Sequence, residues 1–321
     1  MPICLFANSQ IEKMDQNKTI ADSGSFVLAS KVKDYFQLIK FTLSFMVVFS
    51  FVVSFLIAPS EDHFSRQTII SVLLLFVAGL CITGSANAIN QAMEKDTDAL
   101  MKRTAGRPVA SGRMSAAEAY TFAFITGAVG VGMMWYFFNG TSALLGLASL
   151  FIYGFIYTPL KKVNSIAVLV GAIPGALPCL IGWVAAFGDG EITWTGGWIL
   201  LGIQFLWQFP HFWAIAWIAH EDYSAAGFKL LPSDKGPTKF TAVQTVMYSV
   251  MMIPMGMLAY SFNISGMISM WIVLACNLWM VYAAIMLFIR MDKASARKVM
   301  FSSYFYLMIV FLSLWADKTI S

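Results

Sequence analysis

From about residue 38 onward, long apolar runs alternate with short polar stretches. A run of 17 or more mostly apolar residues can cross a hydrocarbon core of about 30 Å as a helix, which satisfies its own backbone there. The runs predict spans near 38–57, 68–88, 116–138, 142–160, 165–186, 194–217, 242–262, 267–289 and 297–315. The expected fold is therefore all-α, a polytopic membrane protein with about nine transmembrane helices. In the run GAIPGALPCLIGW, small residues permit close helix approach, and Pro174 and Pro178 are expected to kink or break the helix.

The polar positions set an orientation. Lys13 to Lys33, Lys95 to Arg113, Lys161 and Lys162, Lys229 to Lys239, and Arg290 to Lys298 all fall on one side of the predicted spans, against only Arg66 and Lys318 on the other. Such bias places the amino terminus and the basic loops in the cytoplasm and the carboxyl terminus outside. It divides the chain into a cytoplasmic tail, 1–37, and an intramembrane domain, 38–321. The tail mixes Glu12, Asp15 and Asp22 with its lysines, and the first arginine is Arg66, so it lacks the character of a mitochondrial presequence. PICLFA is too short and too early for a secretory signal, and a bacterial inner membrane is expected.

Composition agrees with that class. Hydrophobic residues make up 59% and charged residues 12%, where an ordinary soluble chain carries about 25% charged. The net charge of +4 gives no reason to expect nucleic acid. Cys4, Cys81, Cys179 and Cys276 show no metal or disulfide spacing and read as buried thiols. Every Asp and Glu lies in a loop or at a predicted helix end, and Lys40 lies near an entrance, whereas a proton-coupled transporter usually carries ionisable groups near mid-membrane, which argues against that class.

The chemistry gathers between Asn90 and Gly112. Asn90, Glu94 and Asp98 fall at i, i+4 and i+8 and share one face if the preceding helix continues. Like charges at that spacing oppose helix formation by roughly 0.2–0.5 kcal/mol, and a divalent cation is a natural compensator. Lys102, Arg103, Arg107 and Arg113 follow, suited to a phosphate that shares the metal. The plainer alternative is a solvated loop obeying the positive-inside rule. Magnesium, however, takes one or two carboxylates and fills its octahedron with water and phosphate oxygen, which the spacing suits. Asp96 falls on the opposite side of an ideal helix and ranks below Glu94 and Asp98.

A second loop is entered by WQFPHFW and contains EDYSAAGFKLLP. Glu221 and Asp222 are adjacent and need a local break to bind one metal; as solvated acids they need none. His211 reads as a hydrogen-bonded core residue, a group facing a haem, or an acid–base. In YTPLKK, Tyr157 and Lys161 share a face at the cytoplasmic rim, where either is placed to touch a diphosphate; the lysines also serve as membrane anchors.

Taken in order, these motifs resemble the UbiA superfamily of intramembrane prenyltransferases, and more closely its protohaem IX farnesyltransferase branch, from about Tyr35 to the last helix. NQAMEKDTDALMKRTAGRP matches that branch's pattern NQxxExDxDxxMxRTxxRP at every fixed position. The resemblance implies a UbiA-like helical bundle in which Asn90, Glu94 and Asp98 hold Mg2+ and, through it, farnesyl diphosphate. It implies that Arg103, Arg107 and Lys161 contact the diphosphate and that Glu221 and Asp222 hold a second metal; the residues themselves add Lys102, Tyr157 and His211 as expected substrate contacts. Asp96 stays a lesser metal candidate. Ala219 and Tyr223 stand where the superfamily often has further aspartates, which weakens the second metal; Phe41 and Cys179 replace prolines, affecting helix shape more than chemistry. The implied reaction joins farnesyl diphosphate, protohaem IX and water to give haem O and diphosphate, in contact with membrane lipid and with a downstream haem A synthase as a further partner. An aromatic prenyltransferase acting on a quinone precursor is the alternative, and a transporter or lipid-binding protein is the alternative of another class.

Overall fold

The computed structural model describes residues 30–59, 65–233 and 235–319. Cys4, His63 and the tail's acids and first lysines lie outside them. The helices are α1 (Ser30–Leu38), α2 (Phe41–Ile57), α3 (Arg66–Met93), α4 (Lys95–Ala99), α5 (Ala116–Phe137) and α6 (Gly140–Phe151). A π turn, Ile152–Tyr157, joins α6 to α7 (Thr158–Leu160). Then come α8 (Ala167–Ala185), α9 (Trp194–Ile218), α10 (His220–Ala225), α11 (Lys239–Ser261), α12 (Met267–Arg290) and α13 (Lys293–Ala316). Among the described residues there is no strand, only an isolated bridge between Ser265 and Lys318.

Eight of these segments are long and apolar enough to cross a membrane, counting α6 to α7 as one, and α1 with α2 forms a ninth, bent by 50°. The span expected from residue 38 thus has a helical lead-in that begins at Ser30, inside the stretch expected to be tail. Side-chain caps start several of the helices: Ser65 accepts from Thr68 N–H, Ser115 from Glu118 N–H and Asn139 from Ser142 N–H. Each satisfies an amide that the helix leaves without a partner.

The buried pair α8 and α9 occupies the centre. Around it run α2, α3, α5 and α6 on one side and α11, α12 and α13 on the other, with α13 closing back on α2. The outer helices show Phe124, Trp135, Ile268 and Trp279 to the surroundings, as lipid-facing helices do. Helix α8 continues across both prolines rather than breaking. Pro178 has no N–H for the carbonyl of Pro174, and Ser149 Oγ of α6 donates to that carbonyl at 3.2 Å. Gln208 of α9 donates to Ala172 O at 2.9 Å, tying the central pair together.

The basic loops meet at one end of the bundle. There Lys161 reaches Glu94, Lys293 reaches Glu221, Arg113 reaches Asp34, and Lys229 N–H donates to Lys161 O at 2.8 Å.

Candidate active site

Helix α3 runs past the end of its apolar stretch to Met93, because its last turns are buried and not solvated. At Glu94 the backbone leaves the helix (φ −94°, ψ 13°) and resumes at once as α4. The break is small enough to keep Asn90, Glu94 and Asp98 on one face, at 0%, 4% and 1% exposure. Asp96 lies exposed and is separated from that face, as its helical angle requires.

Three cations meet the three side chains. Lys161 Nζ donates to Glu94 Oε1 at 2.8 Å. Arg107 Nη1 donates to both oxygens of Asp98, at 2.8 and 2.7 Å. Lys40 Nζ donates to Asn90 Oδ1 at 2.7 Å, while Asn90 Nδ2 donates to Thr158 Oγ1 at 3.2 Å. The π turn before Thr158 resets the helix register, and Thr158 Oγ1 donates back to Tyr153 O at 2.9 Å. Lys161 also lies 4.6 Å from the Tyr157 ring centroid and 5.7 Å from that of Phe228. The Tyr157 ring in turn packs against Gly171, where a Cβ would meet it at 2.5 Å. Only a glycine of α8 lets that ring sit beneath the ammonium.

Lys40 stands in the left-handed region (φ 49°, ψ 55°) at the bend between α1 and α2, a conformation that costs an L-residue with a side chain roughly 1–2 kcal/mol. The carbonyls freed by the bend are taken by the turn of α3 below the face. Gln91 Nε2 donates to Gln37 O and Leu38 O at 2.9 and 2.8 Å, and Asn87 Nδ2 donates to Ile39 O at 3.1 Å. One helix segment thus does two jobs: its amides at 87 and 91 hold the bend, and its polar groups at 90, 94 and 98 face the chemistry.

Other predicted residues lie farther out. Arg103 Nη2 donates to Tyr223 OH at 3.3 Å, and Lys102 is exposed. Arg113 binds Asp34 and Gln37 and secures the loop to α1. Glu221, 84% exposed at its side chain, pairs with Lys293 at 2.7 Å. The hydrogen bond and charge of Lys293 hold the Glu221 carboxyl below the usual carboxylate range, so it is ionised at neutral pH. His211 is buried between α9 and α13, its ring stacked on Trp207 at 4.8 Å and its Nδ1 2.7 Å from Ser303 Oγ. Because Ser303 Oγ already donates to Met300 O at 2.6 Å, His211 Nδ1–H is the donor and Nε2 is the bare nitrogen. Sequence reasoning left out Lys40 and Thr158. A lone lysine in an apolar run was the available signal for Lys40; Thr158 had none.

Among the described residues no three His, Cys, Asp or Glu side chains gather as a metal cage. Two buried carboxylates and an amide oxygen on one face are hard oxygen donors. They fit a magnesium ion that keeps water and takes phosphate oxygens for the rest of its shell. Three basic side chains thus reach the two carboxylates and the amide of this face. Cys81, Cys179 and Cys276 are free thiols and stand apart from it.

A model of the UbiA prenyltransferase family matches residues 46–313. A protein named Protoheme IX farnesyltransferase from Cytophaga hutchinsonii is 40% identical over 291 residues, covering 91% of this chain and 99% of its own. A second of that name, from Flavobacterium psychrophilum, is 40% identical over 296 residues, covering 91% and 96%. Among solved structures, a digeranylgeranylglyceryl phosphate synthase superposes with a TM-score of 0.72 at 20% identity, over 90% of this chain and 98% of that one. A UbiA homologue from Archaeoglobus fulgidus bound to GPP and Mg2+ gives 0.64 at 18% identity, over 88% and 99%. These two likenesses concern the fold.

Proposed function

The chain belongs to the UbiA prenyltransferase family, and from that we propose that it transfers the farnesyl group of farnesyl diphosphate to a vinyl group of protohaem IX, with addition of water, giving haem O and diphosphate. The observation that carries the assignment is the match over 91% of the chain to relatives named Protoheme IX farnesyltransferase, with the buried Asn90–Glu94–Asp98 face inside the region that the family model matches.

Asn90, Glu94 and Asp98 would hold magnesium, which when bound supplies positive charge to the departing diphosphate. Lys161 and Arg107, already aimed at this face, hold diphosphate oxygens, with Arg103 and Lys102 at the outer rim. Fixed cations placed where negative charge grows favour departure more than they favour the bound ester. The allylic C–O bond breaks with its electron pair on diphosphate. The vinyl π electrons form the new C–C bond, water oxygen bonds the remaining vinyl carbon, and its proton goes to diphosphate. Tyr157 and Phe228 place rings beside the lysine, with Tyr153 packed on Tyr157, and ring faces of this kind tolerate a nearby cation. His211, with Nδ1 committed to Ser303, keeps Nε2 as its remaining polar atom and would be the residue that contacts the porphyrin. Glu221 and Asp222 serve a second ion only if Glu221 leaves Lys293, and Asp96 has no part in the buried face.

The protein is a multi-pass membrane protein. In this scheme it sits in a bacterial inner membrane with its amino terminus and the site on the cytoplasmic side and its carboxyl terminus outside, and it passes haem O to a haem A synthase. A competition decides the acceptor: purified protein receives labelled farnesyl diphosphate, Mg2+, and equal protohaem and 4-hydroxybenzoate. Label on the haem is expected; label on the phenol alone would assign an aromatic prenyltransferase instead.

A further inference from the structure

Gln208 of α9 is 3% exposed, and its amide is aimed by the residues around it. Nε2 donates to Ala172 O at 2.9 Å and to Gln204 O at 3.3 Å, so both of its hydrogens are used. The reverse orientation would set the amide oxygen against two carbonyls, which decides which way the group points. Oε1 is directed at Gly175 of α8, where a Cβ would overlap it. Among the described residues no N–H or O–H donates to this oxygen, although an amide oxygen has two lone pairs to fill. Asn87 Oδ1 and Gln91 Oε1 are unpaired and sealed; Gln208 Oε1 is not sealed. A buried polar atom left open in this way is suited to a small polar molecule, and water is the ordinary one.

Gly171, Gly175 and Gly182 fall at i, i+4 and i+11 on one face of α8, where they meet Tyr157, Gln208 and Phe51. Tyr157 lies beside Lys161, which donates to Glu94. Gln208 stands one helical turn, about 6 Å, beyond the Tyr157 ring as seen from the basic loops. His211 follows three residues later, roughly 60° round α9. Gln204 lies a further turn in and accepts from Ser50 Oγ at 3.5 Å. The Gln208 oxygen is thus set between the cations that hold diphosphate and the histidine that contacts the porphyrin in the scheme above, where vinyl group and farnesyl carbon meet.

We propose that Gln208 Oε1 holds the water that adds to the vinyl group. This rests on the farnesyl transfer proposed above and adds to it the residue that decides how the reaction ends. When the vinyl π electrons bond the farnesyl carbon, the vinyl carbon next to the porphyrin is left cationic. A water that donates one hydrogen to Gln208 Oε1 has its lone pair free for that carbon; the C–O bond forms, and the proton released goes to diphosphate. Without a held water the cation ends differently. The C–H bond of the neighbouring CH2 breaks, its electron pair forms a C=C bond, and the proton again goes to diphosphate. That product is an alkene, lighter than haem O by one water.

The test supplies full-length protein in lipid nanodiscs with farnesyl diphosphate, Mg2+ and protohaem in water labelled with heavy oxygen, and reads the ratio of alkene to alcohol by mass. The unaltered protein gives alcohol that carries the label. Gln208→Leu, close in size and without the acceptor, raises the alkene-to-alcohol ratio about tenfold or more, the scale of one lost hydrogen bond. Gly175→Ala, which pushes the same oxygen aside, moves the ratio the same way. Gln208→Glu keeps an acceptor oxygen at that place and returns the ratio toward alcohol. A Gln208→Leu protein that melts normally and gives the unaltered ratio overturns the proposal. A proportionate fall of both products overturns it too, because a merely structural amide slows the reaction without changing its end. Haem recovered without farnesyl from the unaltered protein overturns the transfer itself, and the role of Gln208 with it; the unaltered protein alone tells that outcome apart.

Discussion

At the residue scale, Asp98 is the most constrained acid in the site: 1% exposed, with both oxygens on Arg107. Asp98→Asn keeps the size, removes the charge, and is expected to lower farnesyl transfer by about a hundredfold or more, the scale of losing a group that stabilises the transition state. Single-turnover product formation checks this, and activity within threefold of the unaltered protein would reject the assignment. Glu221 makes a sharper contrast, because its exposed pairing with Lys293 gives it little structural weight. Glu221→Gln should leave the melting temperature unchanged and lower the Mn2+ stoichiometry only if a second ion binds there. With its carboxyl held below the usual range by the hydrogen bond and charge of Lys293, Glu221 stays charged at neutral pH, and the contact is lost as pH falls through that lowered value. Spacing made Asn90, Glu94 and Asp98 legible, since a helix face follows directly from i+4 steps. Lys40 was not legible, because its partner lies 50 residues away in sequence and only a bent backbone brings them together.

At the element scale, the apolar runs located the crossing helices to within a few residues, for burial of a long apolar stretch leaves little freedom in where a helix lies. What they missed are polar continuations and breaks: the extension of α3 to Met93, the α1–α2 bend and the π turn before Thr158. Each is set by side chains from another element rather than by local pattern. Gln91→Leu tests the bend. It removes the donor to Leu38 O and one of the two donors to Gln37 O, which keeps Lys40 N–H, and a buried carbonyl left unpaired costs about 1–3 kcal/mol. A lower melting temperature and weaker pyrophosphate binding should appear together. By contrast, Ser115→Ala removes the cap of α5. It should cost about 1 kcal/mol of stability and leave ligand affinity alone.

At the scale of the whole molecule, the proposed topology follows from charge asymmetry and a count of nine crossings: basic loops, site and amino terminus would lie on one side and the carboxyl terminus on the other. A reporter active only outside the cytoplasm should work when fused after Ser321 and fail when fused in the loop after α9; the reverse would invert the topology. In the proposed scheme the fold would give two amphipathic substrates a shared setting, with apolar bodies in the bilayer and anionic groups at the rim where the basic loops meet. The most direct test of the account is the mass of haem recovered from purified protein in lipid nanodiscs supplied with farnesyl diphosphate, Mg2+ and protohaem. The account predicts protohaem carrying one added farnesyl group and one added hydroxyl, absent with a chelator or with Asp98→Asn; haem recovered unchanged from the unaltered, magnesium-supplied protein would contradict it.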